Sequence, residues 1–490
     1  MTAGEALFTP AHVTPRFSEP IPDRAERGPA VYDVTPIGYV AEDRTMSGIT
    51  ATYLPVSECD YTPEPAPPGT EPDPRGGPLR TPAQPAWGPM PGLAPYDASD
   101  LSRRAIRPAE PYTTRVILYR PRDMRRFSGN VIIETIHPAN GGTTSMWDMV
   151  NRFLASRGDV FIGVQHPRTL AWLSYRWPDR YGTLACDDFS QIWGMVADAA
   201  HALKRGGAAS PISTPARRAY FTGYSFSGAI CTTFAKQHHD VNRMGDGTPV
   251  FDGYPIGTGF GPMAPIDAPV MIAANQYSGY NDPDGNHANQ HPTSPAEAPR
   301  WSREQFDSDE PSGRRRRYEV PGFHHTPNAP AEPGSAVPPP VRNPIVARCM
   351  YQWPQGAAIN PNVLGRAVYE GIFRNIADWV DHGVVPPRAD LIETAGGRPV
   401  LDESGNVRGG LRMPDITLPV AAYQTGTGEC FSTGWLVPFS TDRLRHLYGS
   451  RAEYLRRYAA AADAMTQARF ILAERAEQLK RDAAERIPQF

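Results

Sequence analysis

A short serine motif is the clearest indication of chemistry in this sequence. Residues 220–229 read YFTGYSFSGA, which places Gly223, Ser225 and Gly228 in a Gly-x-Ser-x-Ser-Gly pattern. An apolar strand pattern ends here and a helix pattern begins, so we expect a sharp turn that lifts the Ser225 hydroxyl above a sheet edge. The helix start would offer backbone N–H groups to a developing oxyanion, and we assign one donor to Phe226. The motif predicts a nucleophile at Ser225; a turn serine without chemistry is the alternative.

A nucleophilic serine needs a general base, and in this chain order the base follows the last strand. His324 and His325 come directly after the strand pattern RRYEVPG at 316–322, and either one fits the role. His137 follows another strand pattern, NVIIETI at 130–136, where a second oxyanion N–H is expected. We therefore predict Ser–His chemistry, with the backbone of His137 rather than its imidazole at the oxyanion.

Alternating strand and helix patterns must position these residues. Strand patterns lie at 113–121, 130–136, 159–165, 218–225, 249–258, 269–274 and 316–322, and helix patterns at 145–158, 188–206, 227–239, 364–383 and from about 451. This alternation predicts an α/β fold with a mostly parallel central sheet flanked by helices. Two β-branched segments, 31–42 and 49–56, predict an N-terminal hairpin within 30–60. Ser450 and Glu453 have capping-box spacing for the last helix.

Proline is unusually abundant, with 54 residues in a chain of 490. The prolines cluster at 61–98 and 326–344, which excludes helices and central strands there and predicts loop insertions. The second cluster directly follows the candidate base. Both are candidates for a cover that excludes water from the active site.

Charge and cysteine content exclude several classes of protein. The chain carries 49 basic and 52 acidic residues and no charged tail, so neither nucleic acid nor a membrane surface is an expected partner. The basic run Arg314–Arg317 is predicted to be a solvated loop end. Five cysteines without a C-x-x-C pattern predict neither a zinc site nor a disulfide scaffold.

The expected location and cofactor content also follow from absent patterns. No stretch of 18 or more apolar residues and no leader-like N-terminal pattern occurs, so we expect a cytoplasmic protein. No P-loop, dinucleotide fingerprint or metal-ligand cluster occurs either. The chemistry is expected to need no cofactor and no metal.

Aromatic residues follow the strand pattern at 159–165. Trp172, Tyr175 and Trp177 lie in the segment HPRTLAWLSYRWPDRY, and Tyr224 directly precedes Ser225. Aromatic side chains beside a nucleophile predict an apolar substrate pocket. Ordinary packing of a long loop is the alternative for the residues of this segment.

Most of the chain resembles the bacterial alpha/beta hydrolase domain family of serine hydrolases, a group with expected esterase activity. The resemblance runs through GYVAEDRTMSGITATY (38–53), TTRVILYRPRDMRRFSGNVIIETIHP (113–138), PDRYGTLACDDFS (178–190), GYSFSG (223–228), DSDEPSGRRRRYEVPGFHH (307–325), LGRAVYEGIFRNIADWVDHGVVPP (364–387), LRMPDITLPVAAY (411–423) and VPFSTDRLRHLYGSRAEYLRRY (437–458). It implies an α/β-hydrolase fold and one elaborated domain over 1–490, with a catalytic core at 110–325 and a helical part at 351–490 packed on it. The family pattern Glu-Val-x-Gly-x-x-His falls on Glu319, Val320, Gly322 and His325, which favours His325 over His324.

The triad acid is where this sequence departs from the family. Members tend to carry a Thr-Glu-x-Asp-like segment after the strand that corresponds to PVMIAA, but residues 275–278 here read Asn, Gln, Tyr, Ser. The acid that holds the imidazole tautomer must then come from elsewhere. We choose Asp282; the alternatives are Asp284, Asp267 and Glu134, orientation by Gln276, or no charged partner at all.

The residues together predict a serine hydrolase that cleaves a small carboxylic ester or lactone through an acyl-enzyme. An acyltransferase with the same Ser–His chemistry is one alternative. A catalytically idle hydrolase fold that binds a ligand is another, because the family carboxylate is missing. The oligomeric state stays open.

Overall fold

A computed structural model describes most of the chain. The described residues are 14–22, 32–53, 69–73, 105–138, 144–258, 265–276, 307–325, 348–361, 364–395, 398–426, 430 and 432–490. They fall into two compact units: described residues up to Val270 with Glu310–Arg314, and the described residues of 271–309 and from Arg315 onward. Asp282, Asp284, the loop 326–344 and most of 61–98 lie outside the described residues. The single domain over 1–490 stays a prediction.

The first unit is built on a mixed β-sheet. Its strands are β1 (Arg16–Phe17), β2 (Tyr39–Tyr53), β3 (Ala105–Pro121), β4 (Asn130–Ile136), β5 (Val160–Gln165), β6 (Ala185–Cys186), β7 (Arg218–Tyr224) and β8 (Tyr254–Gly257). They lie in the order β1-β2-β3-β5-β4-β7-β8, with β6 beside β3. The centre is parallel, from β5 through β4 and β7 to β8. The first three strands form an antiparallel edge, and β3 runs antiparallel to β5.

Helices connect the parallel strands. They are α1 (Ser145–Arg157), α2 (Leu170–Arg176), α3 (Pro178–Tyr181), α4 (Ile192–Arg205) and α5 (Phe226–Thr233), the last continued by a π-helical segment, Phe234–His238. Every residue of β4 and β5 is buried, as expected for parallel strands covered on both faces. The predicted α/β class, with parallel strands flanked by helices, is confirmed.

The predicted hairpin within 30–60 is wrong. Tyr39–Tyr53 is one continuous strand, and its antiparallel partner is β3, with Tyr39 opposite Pro121 and Gly48 opposite Tyr112. The two predicted segments placed a turn between residues 42 and 49, but Gly48 lies within the strand, where it serves close packing. A Cβ atom there would lie 2.7 Å from the Tyr112 hydroxyl oxygen. Only a residue without a side chain leaves room for the Tyr112 ring.

The second unit combines strands with C-terminal helices. Its strands are β9 (Val270–Asn275), which begins at the last residue of the first unit, β10 (Arg315–Val320), β11 (Ala358–Ile359), β12 (Thr394–Ala395), β13 (Arg398–Pro399), β14 (Ala421–Thr425) and β15 (Gly434–Pro438). Its helices are α6 (Leu364–His382), α7 (Pro414–Thr417), α8 (Thr441–Tyr448), α9 (Arg451–Gln467) and α10 (Ala473–Arg486). β9 neighbours β10, and β11, β15 and β14 form a separate antiparallel sheet. The predicted helical C-terminal region is present.

The helix expected from residue 451 is two helices. Ser450 caps α9 as predicted, since its side chain accepts a hydrogen bond from the N–H of Glu453. The chain leaves the helix at Arg469, which has φ 65°, and α10 begins four residues later. A non-glycine residue with positive φ interrupts the helical path.

The basic run is not a solvated loop end. Arg316 and Arg317 lie in β10 and are each 1% exposed. Arg317 pairs with Glu319, whose other carboxylate oxygen accepts the N–H of Ile392 at 2.8 Å. Arg316 pairs with Asp309 and lies over the Trp379 ring. These buried charges are tolerated because each has a partner of opposite charge. A run of like charges in the sequence does not reveal such partners.

A disulfide joins Cys349 to Cys430, 81 residues apart. Cysteine spacing does not predict it, because the two positions meet only in the folded chain. The expected cytoplasmic location stays a prediction. Among the described helices, none has the length and apolar character needed to cross a bilayer.

Gly48→Ala is expected to lower the free energy of unfolding by about 1–3 kcal/mol. The added methyl group must displace the Tyr112 ring, whose hydroxyl donates a 2.8 Å hydrogen bond to the buried carboxylate of Asp198. Urea denaturation followed by circular dichroism measures the change. Gly245→Ala is the matched control, since no atom lies within 4 Å of a Cβ built there. Equal midpoints for the two variants would contradict this account of Gly48.

Candidate active site

Four residues of the first unit directly follow its four parallel strands. His166 follows β5, His137 follows β4, Ser225 follows β7 and Thr258 follows β8. The carboxyl ends of these strands lie at one edge of the sheet, as the pairing of Ile136 with Gln165 and of Tyr224 with Gly257 requires. The chain leaves β4 towards β5 but leaves β7 towards β8. The boundary between β4 and β7 is therefore a switch point, where α/β sheets open a crevice for ligands.

The turn at Ser225 is strained. Ser225 has φ 58° and ψ −121°, a conformation that non-glycine residues rarely adopt. The two glycines of the motif make the turn possible. A Cβ on Gly223 would lie 2.2 Å from the carbonyl oxygen of Ser227, and one on Gly228 would lie 2.4 Å from that of Gly257. The predicted strand–turn–helix therefore forms, and it holds the half-buried Ser225 at the N-terminus of α5.

Thr258 supports this turn and was not among the predicted residues. Its hydroxyl oxygen accepts the backbone N–H of Ser225 at 2.8 Å. Thr258 itself has φ 53°, which is unfavourable for a β-branched residue. A strained threonine at this place indicates that its hydroxyl is needed. In sequence, it is only the residue that ends the PIGT strand pattern.

The Phe226 ring joins the two histidines at the sheet edge. Its centroid lies 5.8 Å from that of His137 and 5.3 Å from that of His166, in edge-on arrangements. The guanidinium of Arg168 lies 5.4 Å from the same ring. Burial lowers the pKa of His137 to about 4, so its imidazole is neutral at neutral pH. The two predicted oxyanion residues, Phe226 and His137, are thus brought together; the donation by their N–H groups stays a prediction.

His166 was not predicted either. It is fully buried, and its Nδ1 accepts the backbone N–H of Arg168 at 3.1 Å. This bond places the proton of the neutral imidazole on Nε2. Its position in the sequence could have indicated it, because His166 directly follows a buried parallel strand, as His137 does.

The second unit carries His325 five residues after β10 ends. Nδ1 of the half-buried His325 lies 3.3 Å from the side-chain amide nitrogen of Asn275, the last residue of β9. Asn275 is buried and was noted in the sequence only as a departure from the family. The structure thus brings an amide, not one of the described candidate acids, to this face of the imidazole.

His324 has a different environment from His325. It is fully buried, with Nδ1 3.2 Å from the carbonyl oxygen of Ser432 and Nε2 3.1 Å from that of Asn360. Burial lowers its pKa to about 4. Both ring nitrogens of His324 face backbone carbonyls, so its role is structural, and this supports the preference for His325.

The two candidate acids within the described residues have other partners. Asp267 accepts from His239 at 2.5 Å and from Arg243 at 2.7 Å, and the hydrogen bond from His239 holds the pKa of Asp267 well below its usual range. Glu134 is fully buried in β4, and its carboxylate accepts the N–H of Met146 in the first turn of α1. Burial raises the pKa of Glu134 well above its ordinary value. Both carboxylates are therefore bound to partners within the first unit.

The predicted pocket aromatics have several environments. Trp172 and Trp177 pack edge to face at 5.2 Å on a cluster that contains Leu173. Tyr175 is 53% exposed, whereas Tyr224 is buried within β7. Packing within the first unit accounts for the two tryptophans, and contact of any of these residues with a substrate stays a prediction.

No group of three or more His, Cys, Asp or Glu side chains suited to a metal ion occurs in the part of the chain that the structure describes.

A parallel sheet with a serine on a strained turn between β7 and α5 is the architecture of an α/β hydrolase. The chain belongs to the family described as "Alpha/beta hydrolase domain", whose sequence model matches residues 17–481. The match covers nearly the whole chain, as the resemblance of its segments implied. No curated protein shows a significant match.

Several solved structures are similar to parts of this chain. A candidate dienelactone hydrolase from Klebsiella pneumoniae is 14% identical, with a TM-score of 0.23 over 34% of this chain and 68% of its own. A serine hydrolase without a lid from Xanthomonas campestris is 12% identical, with a TM-score of 0.22 over 34% of this chain and 66% of its own. A cold-adapted esterase from an Arctic intertidal metagenomic library is 13% identical, with a TM-score of 0.19 over 33% and 67%. Likeness at this level carries no argument about substrate.

Thr258→Val is expected to lower the free energy of unfolding by about 1–2 kcal/mol, because it keeps the side-chain shape but removes the acceptor of the Ser225 N–H. Thr258→Ser keeps the hydroxyl, and its free energy of unfolding is expected to stay within about 0.5 kcal/mol of the wild-type value after allowance for the lost methyl group. Thermal unfolding of both variants and the wild type measures the difference. A serine variant as unstable as the valine variant would show that the hydroxyl is not what matters.

Proposed function

We propose that this protein is a serine hydrolase that cleaves a carboxylic ester or lactone through an acyl-enzyme intermediate. The backbone of Ser225 carries the proposal. It has φ 58° on the turn between β7 and α5, where Gly223 and Gly228 permit close contact with neighbouring backbone. Backbone strain of this kind costs about 1–3 kcal/mol and persists where the surrounding structure enforces it, as it does at many functional sites.

The surroundings of Ser225 suit a nucleophile. Its side chain is half-buried, whereas Ser227 of the same motif is fully buried. Ser225 also precedes the first residue of α5, so the positive end of the helix dipole and the N–H groups of its first turn can stabilise a negative oxygen. Membership of the α/β hydrolase family supports the same chemistry.

In the proposed reaction, Ser225 Oγ attacks the carbonyl carbon and its proton passes to Nε2 of His325. The oxyanion accepts hydrogen bonds from the N–H of Phe226 and from an N–H near His137. When the intermediate collapses, His325 returns the proton to the departing alcohol and the acyl group stays on Ser225. Water, activated by His325, then releases the carboxylic acid.

Ser225→Ala is expected to abolish labelling by a fluorophosphonate probe and to lower the hydrolysis of p-nitrophenyl acetate by at least about 10³-fold. The reason is that the Ser225 hydroxyl supplies the oxygen that forms the covalent bond in the proposed reaction. Gel fluorescence and absorbance at saturating substrate measure the two effects.

Ser227→Ala is the matched control, since Ser227 lies two residues away and is fully buried. It should label and hydrolyse as the wild type does. A wild-type chain that is folded but neither labelled nor active would refute the proposed function and favour a ligand-binding role.

His325→Ala is expected to lower kcat by at least about 10³-fold with KM little changed, because the general base is lost while binding remains. His324→Gln is expected to act on stability instead, since His324 is buried between two carbonyl groups. Steady-state kinetics and thermal unfolding of both variants separate these effects. If His324→Gln lost turnover while His325→Ala kept it, the base would be His324.

A further inference from the structure

The contact between Asn275 and His325 suggests how the base is held without a carboxylate. We propose that Asn275 is the positioning residue of His325, so that the triad of this protein is Ser225–His325–Asn275. The inference rests on the proposed function and names the group that the sequence left open. It replaces Asp282, which lies outside the described residues, as the expected partner of the imidazole.

The short distance between Asn275 and His325 and the burial of Asn275 are the first support for this role. Its side-chain amide lies 3.3 Å from Nδ1 of His325, and Asn275 is 1% exposed. A half-turn about the Cβ–Cγ bond exchanges the amide nitrogen and oxygen without moving any other atom. With Oδ1 towards the ring, Asn275 accepts the Nδ1–H of His325. Nε2 then carries a lone pair and can accept the proton of a serine hydroxyl.

The chain on both sides of this contact is held rigidly. Gln276 binds the turn that carries His325 in two ways: its backbone N–H donates to the carbonyl oxygen of Phe323 at 2.8 Å, and its Oε1 accepts the N–H of Gly322 at 2.6 Å. The side chain of Asn360 donates to the Gly322 carbonyl oxygen at 2.7 Å. The end of β9 and the turn after β10 therefore form one hydrogen-bonded unit, which keeps Asn275 beside the imidazole.

Gly322 explains why the turn takes this path. It has φ 74°, and a Cβ there would lie 2.6 Å from the Ile416 side chain. The turn therefore packs closely against α7, and only glycine meets both conditions. The same hydrogen bonds exclude Gln276, the alternative orienting residue, because its side chain is used by Gly322 and Thr425.

An amide performs one of the two tasks of a triad acid. It can select the tautomer and orientation of the ring, but as a neutral group it does not stabilise the imidazolium as a carboxylate does. Replacing it by a carboxylate should favour the protonated ring. Because the base must be unprotonated to react, the acidic limb of the pH profile then moves to higher pH.

The test uses the full chain with p-nitrophenyl acetate, and it compares kcat, KM and the pH profile across variants. Asn275→Ala is expected to lower kcat by at least about 10-fold with KM within about two-fold, because the ring loses its tautomer preference. Asn275→Asp is expected to keep kcat near the wild-type value and to move the acidic limb of the pH profile upward by about one pH unit. Asp282→Ala and Asp284→Ala should behave as the wild type.

Asn375→Ala is the matched control for the loss of a buried asparagine. Its side chain donates to the carbonyl oxygen of Arg469 at 2.8 Å, away from His325 in the chain and in contacts. It should lose stability and keep kcat. If Asn275→Ala does not fold, the pH profile of Asn275→Asp and the tautomer of His325 in the wild type, read from imidazole ¹⁵N shifts, decide the matter.

The results that would contradict the role of Asn275 differ from those that would contradict the proposed function. A wild type that is labelled at Ser225 while Asn275→Ala matches it in kcat and pH profile overturns the role of Asn275 alone. So does an Nε2–H tautomer of His325, or a loss of kcat in Asp282→Ala or Asp284→Ala that Asn275→Ala does not share. A folded wild type without labelling or turnover overturns the proposed function and this inference with it.

Discussion

The close contact of backbone with backbone around Ser225 is the constraint on which the candidate active site depends. Gly223 packs on the carbonyl of Ser227, and Gly228 packs on that of Gly257, at distances that leave no room for a Cβ atom. These contacts press α5 against the ends of β7 and β8 and force Ser225 into its strained conformation. Thr258 stabilises the result by accepting the Ser225 N–H, at the expense of its own backbone geometry. The strain is thus shared between two residues that end adjacent strands.

The second unit uses a different means, a buried polar network, to present His325. Glu319 in β10 pairs with Arg317 and accepts the N–H of Ile392, which ties the strand to the chain that follows. Gln276 and Asn360 then hold the turn after the strand. Buried polar groups are costly unless each finds a partner, and when satisfied they specify one arrangement. The polar residues of this unit therefore help to define the path of the chain to His325, together with the close packing of Gly322 on Ile416.

Much of the fold could be predicted from the sequence because buried parallel strands have a strong local signal. The runs that became β4, β5, β7 and β9 are short, apolar and bounded by turn residues, and the structure places them within one or two residues of the expected limits. Prediction failed where partners distant in sequence decide the environment of a residue. The segments 31–42 and 49–56 indicated a hairpin, yet Tyr39–Tyr53 is one strand in which Gly48 accommodates Tyr112. Arg316 and Arg317 indicated a solvated loop, yet both are buried in β10, where Arg317 pairs with the buried Glu319 and Arg316 with the exposed Asp309.

The sequence by itself determined the strand–turn–helix around Ser225 and the family, because glycine spacing and apolar runs act locally. It also narrowed the base to two adjacent histidines. Only the tertiary structure separated them, by enclosing His324 between two carbonyl groups and leaving Asn275 beside His325. It also identified Thr258 and Asn275, which in sequence are ordinary residues at strand ends. Thr258 contacts Ser225, 33 residues away along the chain, and Asn275 contacts His325, 50 residues away. Contacts over such separations leave no local pattern in the sequence.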